Sequence, residues 1–455
     1  MKVHFIAIGG SVMHDLAIAL KSRGYEVTGS DDEIFDPSYT KLKNHGLLPE
    51  VMGWDASKIT DDLDAVILGM HAREDNPEYI KARELGLNIY SFPAYVHEQA
   101  KNKQRIVVGG SHGKTTVTAM IVHVLNYFKR NPDYLLGAVP KGLTDTIKLT
   151  EKAPVIILEG DEYPSAAIDL KPKFINYQQH IGVITGISWD HVNVYPSYDS
   201  YVEQFRAFAE ASCKAGTLIY CEDDPEVKKL IKSIEFPEDV SVMPYTKHPY
   251  KIINGQTYLI DKKNKKEIPV KVFGEHNMMN LSAAKEVVLK MRITEDEFYE
   301  AISSFEGTKN RLNLLAEGGS TKVFKDFAHA PSKLKATVEA VKSQFGKQKL
   351  VACMELHTYS SLNKKFLPNY KNSIKSADVP VVYFNPATVS HKRLEPITPG
   401  MVTEAFGQEL NVFTDSAELE AFLRKQDWNN TNLLMMSSGN FNNMDVEKLA
   451  QEIVK

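Results

Sequence analysis

Cysteine is scarce in this sequence. Cys213, Cys221 and Cys353 are its only three, an odd number without metal-ligand spacing, which argues against a disulfide framework and for reduced, buried thiols. A surplus of positive charge is missing too. Lys and Arg number 54 against 58 Asp and Glu, a net charge of −4, so nothing favours the phosphate backbone of a nucleic acid as partner. No apolar run approaches the ~18 residues needed to cross a bilayer, and membrane insertion is not expected. Phe5–Ile8 after Lys2 imitates the start of a signal peptide, but Gly9, Gly10, His14 and Asp15 break the stretch and no small-residue cleavage site follows. The absences together predict a cytoplasmic protein. Internal repeats of 20–50 residues and low-complexity tracts are lacking as well.

What is present is ordered α/β patterning. The 455 residues correspond to about three domains at ~150 residues each. Short β-branched runs alternate with helical periodicity from Val3–Ile8 to Asn88–Phe92, as expected for a parallel sheet with crossover helices. The pattern restarts at Arg105–Val108 with helix Thr115–Phe128, and further strands are expected at Pro154–Leu158, Ile181–Ile187 and Gly216–Tyr220. Tyr245–Val272 reads as hairpin material, with Lys262, Lys263, Lys265 and Lys266 at a solvated tip. A third α/β stretch runs from Lys322–Phe327 to a closing helix at Val446–Val454.

Three strand ends carry chemistry. Gly109-Gly110-Ser111-His112-Gly113-Lys114-Thr115-Thr116 stands between a strand and a helix. In that context backbone N–H groups and the positive helix end bind phosphates, a lysine reaches the terminal phosphates, and a hydroxyl binds Mg²⁺. Val108 occupies the first glycine position of the usual phosphate-loop pattern, so this is a variant loop. Glu159-Gly160-Asp161-Glu162 follows an apolar strand, where an acid can hold a metal that Lys114 and Thr115 also approach. Glu159 is favoured as nearest the strand end. Asp190-His191 follows the Ile181–Ile187 run. At the N-terminus, Gly9, Gly10 and Ser11 join strand to helix and are placed for a pyrophosphate, yet Ala7 and Val12 break the dinucleotide fingerprint. Asp31 and Asp32 suit either a ribose hydroxyl or a helix-capping turn.

These motifs, taken with Gly274-Glu275-His276-Asn277-Met278-Met279-Asn280, Asn310-Arg311 and Asp326-Phe327-Ala328-His329-Ala330-Pro331, occur in the order and spacing of the Mur ligases, and the sequence resembles that family over nearly its whole length. The resemblance implies an α/β protein of three domains. Residues 1–102 would be a Rossmann-like domain for a UDP sugar, 103–310 a central ATP-binding domain with a parallel or mixed sheet, and 311–455 a Rossmann-like domain for the incoming amine. It further implies that Gly110–Thr116 bind ATP, that Thr115 and Glu159 hold one Mg²⁺ and His191 a second, and that Asn277 and Asn280 face the adenine. Arg311 would reach the phosphates and Asp326 the ribose, with Lys114, His191 and Arg311 serving catalysis. Gly9, Gly10, Ser11 and Asp31 would face the UDP sugar.

Some members carry a modified lysine about a dozen residues after the histidine, whereas Ser200–Phe208 has none and offers Glu203 and Arg206. That departure points to the branch acting directly on UDP-N-acetylmuramate. Two activities compete there: addition of L-alanine, and recycling of the intact tripeptide L-alanyl-γ-D-glutamyl-meso-diaminopimelate. The spelling of Phe327-Ala328-His329 and of Met436–Phe441 is more similar to the recycling ligase, which is the expected activity. From other classes, a phosphate-loop regulator would not require a second nucleotide-like turn and a separate C-terminal unit, and an NAD-linked oxidoreductase lacks its fingerprint.

Overall fold

The computed structural model describes residues 1–70, 72–140, 142–189 and 194–455. The chain divides into two compact units, the first comprising Met1–Ile187, Val202–Tyr245 and Ala283–Ile293, the second Ser188–Tyr201, Thr246–Ser282 and Thr294–Lys455.

The first unit holds two principal sheets. In the N-terminal one, Glu26–Ser30, Lys2–Ile6, Ala65–Leu68 and Ile89–Ser91 lie side by side, all parallel. Val3, Phe5, Ile6, Val66 and Ile67 are fully buried, the near-continuous apolar pattern of strands covered on both faces. One polar pair is sealed among them. His4 Nδ1 lies 2.8 Å from Thr28 Oγ1 and its Nε2 3.2 Å from Glu78 Oε2, while Glu78 Oε1 accepts from Asp55 N–H at 2.8 Å. Burial pushes the Glu78 carboxyl up, but His4 and the Asp55 amide outweigh it and hold it below the usual carboxylate range.

The larger sheet runs Ser241–Tyr245, Thr217–Cys221, Ile181–Ile184, Gln104–Gly109, Val155–Glu159, Asp133–Leu135, Ile147–Lys148, and every pairing is parallel except the last. Three strand ends that carry motifs therefore emerge together at one carboxyl edge, where open α/β sheets bind ligands. The Ile181–Ile187 expectation overshoots by three residues: the strand stops at Ile184 because Thr185 and Gly186 turn to hold the glycine loop.

In the second unit, Tyr250–Ile253, Gln256–Asp261 and Lys266–Val270 form an antiparallel sheet, with the lysine-rich tip exposed. A six-stranded sheet follows in the order Asn313–Gly318, Thr321–Asp326, Thr431–Met436, Lys349–Leu356, Val379–Phe384, Asn411–Phe413, antiparallel only in its first pair. Along Lys349–Leu356, Leu350, Ala352 and Met354 join the core under helix Pro331–Gln344, and Val351 and Cys353 join the core on the other face, the alternation a strand imposes. All three cysteines are free, but Cys213 is half-buried rather than buried. No helix among the described residues is long and apolar enough to cross a membrane.

Candidate functional site

The phosphate loop is shaped by its neighbours. Gly110 has φ +137° and a Cβ there would stand 2.0 Å from Thr185 Oγ1, so only glycine fits. Ser111 N–H donates to Gly186 O at 2.9 Å, Thr185 N–H to Gly109 O at 3.0 Å, and the Thr185 hydroxyl faces the carbonyl of His112. Gly113, left-handed at φ 76°, then opens helix Lys114–Tyr127 with no side-chain cap. The amides of Lys114, Thr115 and Thr116 thus begin the helix as an anion-binding end.

Two carboxylates converge on that turn. Lys114 Nζ donates to Gly110 O at 2.6 Å and to Glu162 Oε2 at 2.5 Å, and the two side chains are only 14% and 1% exposed. Burial works against the Lys114 ammonium, but Glu162, Asp161 and Glu159 outweigh it and raise its pKa above the ordinary lysine value. The lysine is a fixed positive charge. Glu159, last residue of its strand, takes Thr115 Oγ1–H on Oε1 at 2.7 Å and Gly137 N–H on Oε2 at 2.6 Å. A Cβ on Gly137 would lie 2.6 Å from both Glu159 oxygens, so the backbone presses directly on the carboxylate.

Among the described residues no cluster of three or more His, Cys, Asp and Glu is arranged to hold a metal. The Thr115 and Glu159 oxygens nevertheless fit Mg²⁺. Their 2.7 Å separation is close to the ~2.8–3.0 Å edge of an octahedron with ~2.0–2.1 Å bonds, and Mg²⁺ characteristically takes one or two protein oxygens with water and phosphate completing the shell. Asp190 and His191 lie outside the described residues.

At the N-terminal turn, Gly10 and Ser11 are exposed above a buried Asp31. Asp31 Oδ2 accepts from Gly9 N–H at 2.7 Å, and Oδ1 from Asp32 N–H at 3.0 Å. Asp31 therefore braces the glycine turn, a role outside the two alternatives the sequence offered.

The second unit gathers its own set. Asn277 Nδ2 donates to Phe273 O at 2.8 Å, and Asn280 Nδ2 to Asn277 Oδ1 at 3.3 Å, one turn apart on helix Glu275–Lys290. The Arg311 guanidinium lies over the Phe327 ring at 4.8 Å. Asp326, ending strand Thr321–Asp326, accepts from Leu312 N–H and Ala328 N–H, both at 2.7 Å. It ties the Arg311 turn to the sheet. The structure thus brings Gly110–Thr116 and Glu159 together in the first unit and Asn277, Asn280, Arg311 and Asp326 into the second.

A model of the Mur ligase middle domain matches residues 108–288, and one of the Mur ligase family catalytic domain matches residues 2–104. The UDP-N-acetylmuramate–L-alanine ligase of Caldicellulosiruptor bescii is 30% identical over 393 residues, 84% of this chain and 83% of the relative. The chain belongs to the Mur ligase family.

Mur ligases are ATP-dependent carbon–nitrogen ligases, and this chain is one of them. The Escherichia coli K12 UDP-N-acetylmuramate–L-alanyl-γ-D-glutamyl-meso-2,6-diaminoheptandioate ligase is 26% identical over 461 residues, 100% of this chain and 99% of the relative. The solved UDP-N-acetylmuramate–alanine ligase of Thermotoga maritima shares the fold, with TM-score 0.72 at 22% identity over 100% of this chain and 98% of that one. In this Mur ligase three participants escaped sequence reasoning. Glu162 stood in the acidic motif without a role, although its position two residues past Gly160 was visible. Thr185 and Gly137 gave no local signal, because each meets the loop or Glu159 from just past the end of a distant strand.

Proposed function

We propose that this Mur ligase joins L-alanyl-γ-D-glutamyl-meso-diaminopimelate to UDP-N-acetylmuramate through an acyl phosphate. The observation that supports phosphoryl transfer is the buried Lys114 ammonium beside the Thr115–Glu159 oxygen pair at a helix N-terminus. A carboxylate is a poor electrophile. Moving the γ-phosphoryl of ATP onto a sugar carboxylate oxygen releases ADP, and the amine then attacks the carbonyl carbon and expels phosphate. The first step brings two anions together, at a cost of roughly 4 kcal/mol for unit charges ~4 Å apart at an effective dielectric near 20. Lys114 and Arg311 supply compensating positive charge. Mg²⁺, when bound by Thr115 and Glu159, neutralises phosphate oxygens further, and His191 is assigned to a second ion on the family resemblance.

Asn277 and Asn280 are assigned to adenine, Asp326 to ribose, and Gly9, Gly10, Ser11 and Asp31 to the UDP sugar, with domain limits at 1–102, 103–310 and 311–455. The donor choice is supported by the end-to-end likeness to the E. coli tripeptide ligase. The higher identity of the C. bescii enzyme favours L-alanine as a second reading. Offering both donors together with UDP-N-acetylmuramate and ATP, and identifying the product by mass, decides between them. Exclusive formation of the L-alanine adduct would overturn the first reading. ATP hydrolysis independent of sugar and donor would overturn both.

A further inference from the structure

One continuous polar path crosses the first unit between two assigned sites, and the roles given so far leave its middle unused. It starts at the N-terminal glycine turn. His14 Nδ1 lies 2.8 Å from Gly10 O and 3.0 Å from Ser38 Oγ, and its Nε2 lies 3.2 Å from Asp15 Oδ1. Asp15 is 5% exposed and takes Lys41 Nζ on Oδ1 at 2.7 Å. Its other oxygen accepts from the hydroxyl of Thr146, which immediately precedes the larger sheet's edge strand Ile147–Lys148. Thr146 O in turn accepts from Leu136 N–H at 2.8 Å. The next amide, Gly137, donates to Glu159, and Glu159 holds Thr115 at the phosphate loop.

We propose that Asp15 is a positioning residue whose bond to Thr146 couples the sugar-nucleotide turn at Gly9–Ser11 to the nucleotide and metal site at Thr115–Glu159. The inference rests on the ligase reading above. Several observations carry it. Asp15 is a buried carboxylate at the start of helix Met13–Ser22, just beyond the turn, and that helix packs on strand Ile147–Lys148. Beside Asp15 the seam opens into a groove of about 800 Å³ lined by Ile18, Arg23, Asp145 and Ile147. At the far end the path is stiff, because Gly137 leaves no room for a Cβ between backbone and carboxylate. A shift of the glycine turn that draws Asp15 with it therefore moves Thr146, and through Leu136–Gly137 it re-aims Glu159. Mere adjacency does not establish such coupling; a change in linkage does.

The test measures the dissociation constant of a non-hydrolysable ATP analogue with Mg²⁺, with and without saturating UDP-N-acetylmuramate. Couplings between sites are typically about 5–150-fold. The wild-type ratio is expected to be at least about fivefold. In Asp15→Asn and Thr146→Val it should fall to about one with the sugar-free constant unchanged, whereas Thr146→Ser, which keeps the hydroxyl, should retain the wild-type ratio. A wild-type ratio of one, or a wild-type ratio preserved in Thr146→Val, overturns the coupling role. Thr146→Val exchanges the hydroxyl for a methyl of similar size, so it remains informative if Asp15→Asn does not fold. A wild-type chain that binds the analogue but no UDP-N-acetylmuramate overturns the ligase reading as well.

Discussion

Replacing Lys114 by alanine should damage the enzyme twice, and the two effects can be measured separately. Lys114 is proposed to stabilise charge that grows during phosphoryl transfer. Loss of one preorganised donor of this kind is worth about 3–4 kcal/mol, so turnover should fall by on the order of 10²–10³-fold. The same substitution removes the ammonium from Glu162, a carboxylate only 1% exposed whose ion pair with Lys114 is 2.5 Å long. Breaking one side of a buried pair costs about 3–5 kcal/mol. At ~2–4 °C per kcal/mol for a domain of 150–250 residues, melting should drop by on the order of 10 °C. The double variant Lys114→Met with Glu162→Gln removes both charges and should regain most of that melting temperature while staying as slow as the single variant. Scanning fluorimetry gives the first quantity, and phosphate release coupled to product formation gives the second. Unchanged ATP-dependent ligation in Lys114→Ala refutes the catalytic role; unchanged melting refutes the electrostatic account of the pair.

Three further outcomes are expected. Glu159→Gln keeps the acceptor for Gly137 but loses a charge, and the Mg²⁺ needed for half-maximal binding of an ATP analogue should rise at least about tenfold, since even outer-shell metal partners are worth that much; an unchanged requirement removes Glu159 from the metal. Gly110→Ala places a methyl 2.0 Å from Thr185 Oγ1 at φ +137°, strain of about 1–3 kcal/mol, so melting should fall by several degrees and analogue binding should weaken, and wild-type values for both would refute the packing argument. Glu78 is held below its ordinary pKa when folded, so the unfolded chain binds more protons and stability falls as pH drops below the unfolded glutamate value of ~4.3. Glu78→Gln should flatten that acid limb in denaturant titrations, and a limb as steep as wild type would show that the pair is not responsible.

How much of this was legible depended on the range of the interactions. The strands at Val379–Phe384 and Ala65–Leu68 follow from their own composition, and the phosphate loop from glycines, lysine and threonines in adjacent positions. Helix Glu275–Lys290 was overlooked because its start coincides with a motif read for chemistry. Helix Glu295–Ile302 was missed despite its Thr294–Glu297 capping box, which is a local signal. The contacts of Gly137 and Thr146 were beyond reach, since each links segments separated by 22 and 131 residues and only the paired sheet edge brings them together.

The groups assigned to ligands are also bonds of the fold. Asp31 braces Gly9, Asp326 ties Leu312 and Ala328 to its strand end, and Asn277 caps the carbonyl of Phe273. A hydrogen bond exchanged for another of its kind nets only ~1 kcal/mol, so redirecting these side chains yields little binding energy. The surplus has to come from groups that need no reorganisation. Those are the uncapped amides at the start of helix Lys114–Tyr127 and the Lys114 ammonium, which has three hydrogens and spends two on Gly110 and Glu162. The third can point at a phosphate while Glu162 keeps the charge in place. On this argument affinity for the triphosphate is governed by the loop, and the carboxylates govern where the loop stands. Truncation to alanine at Asp31 or Asp326 therefore mixes folding with binding, and amide substitutions, which keep the acceptor and delete the charge, are the ones that separate them.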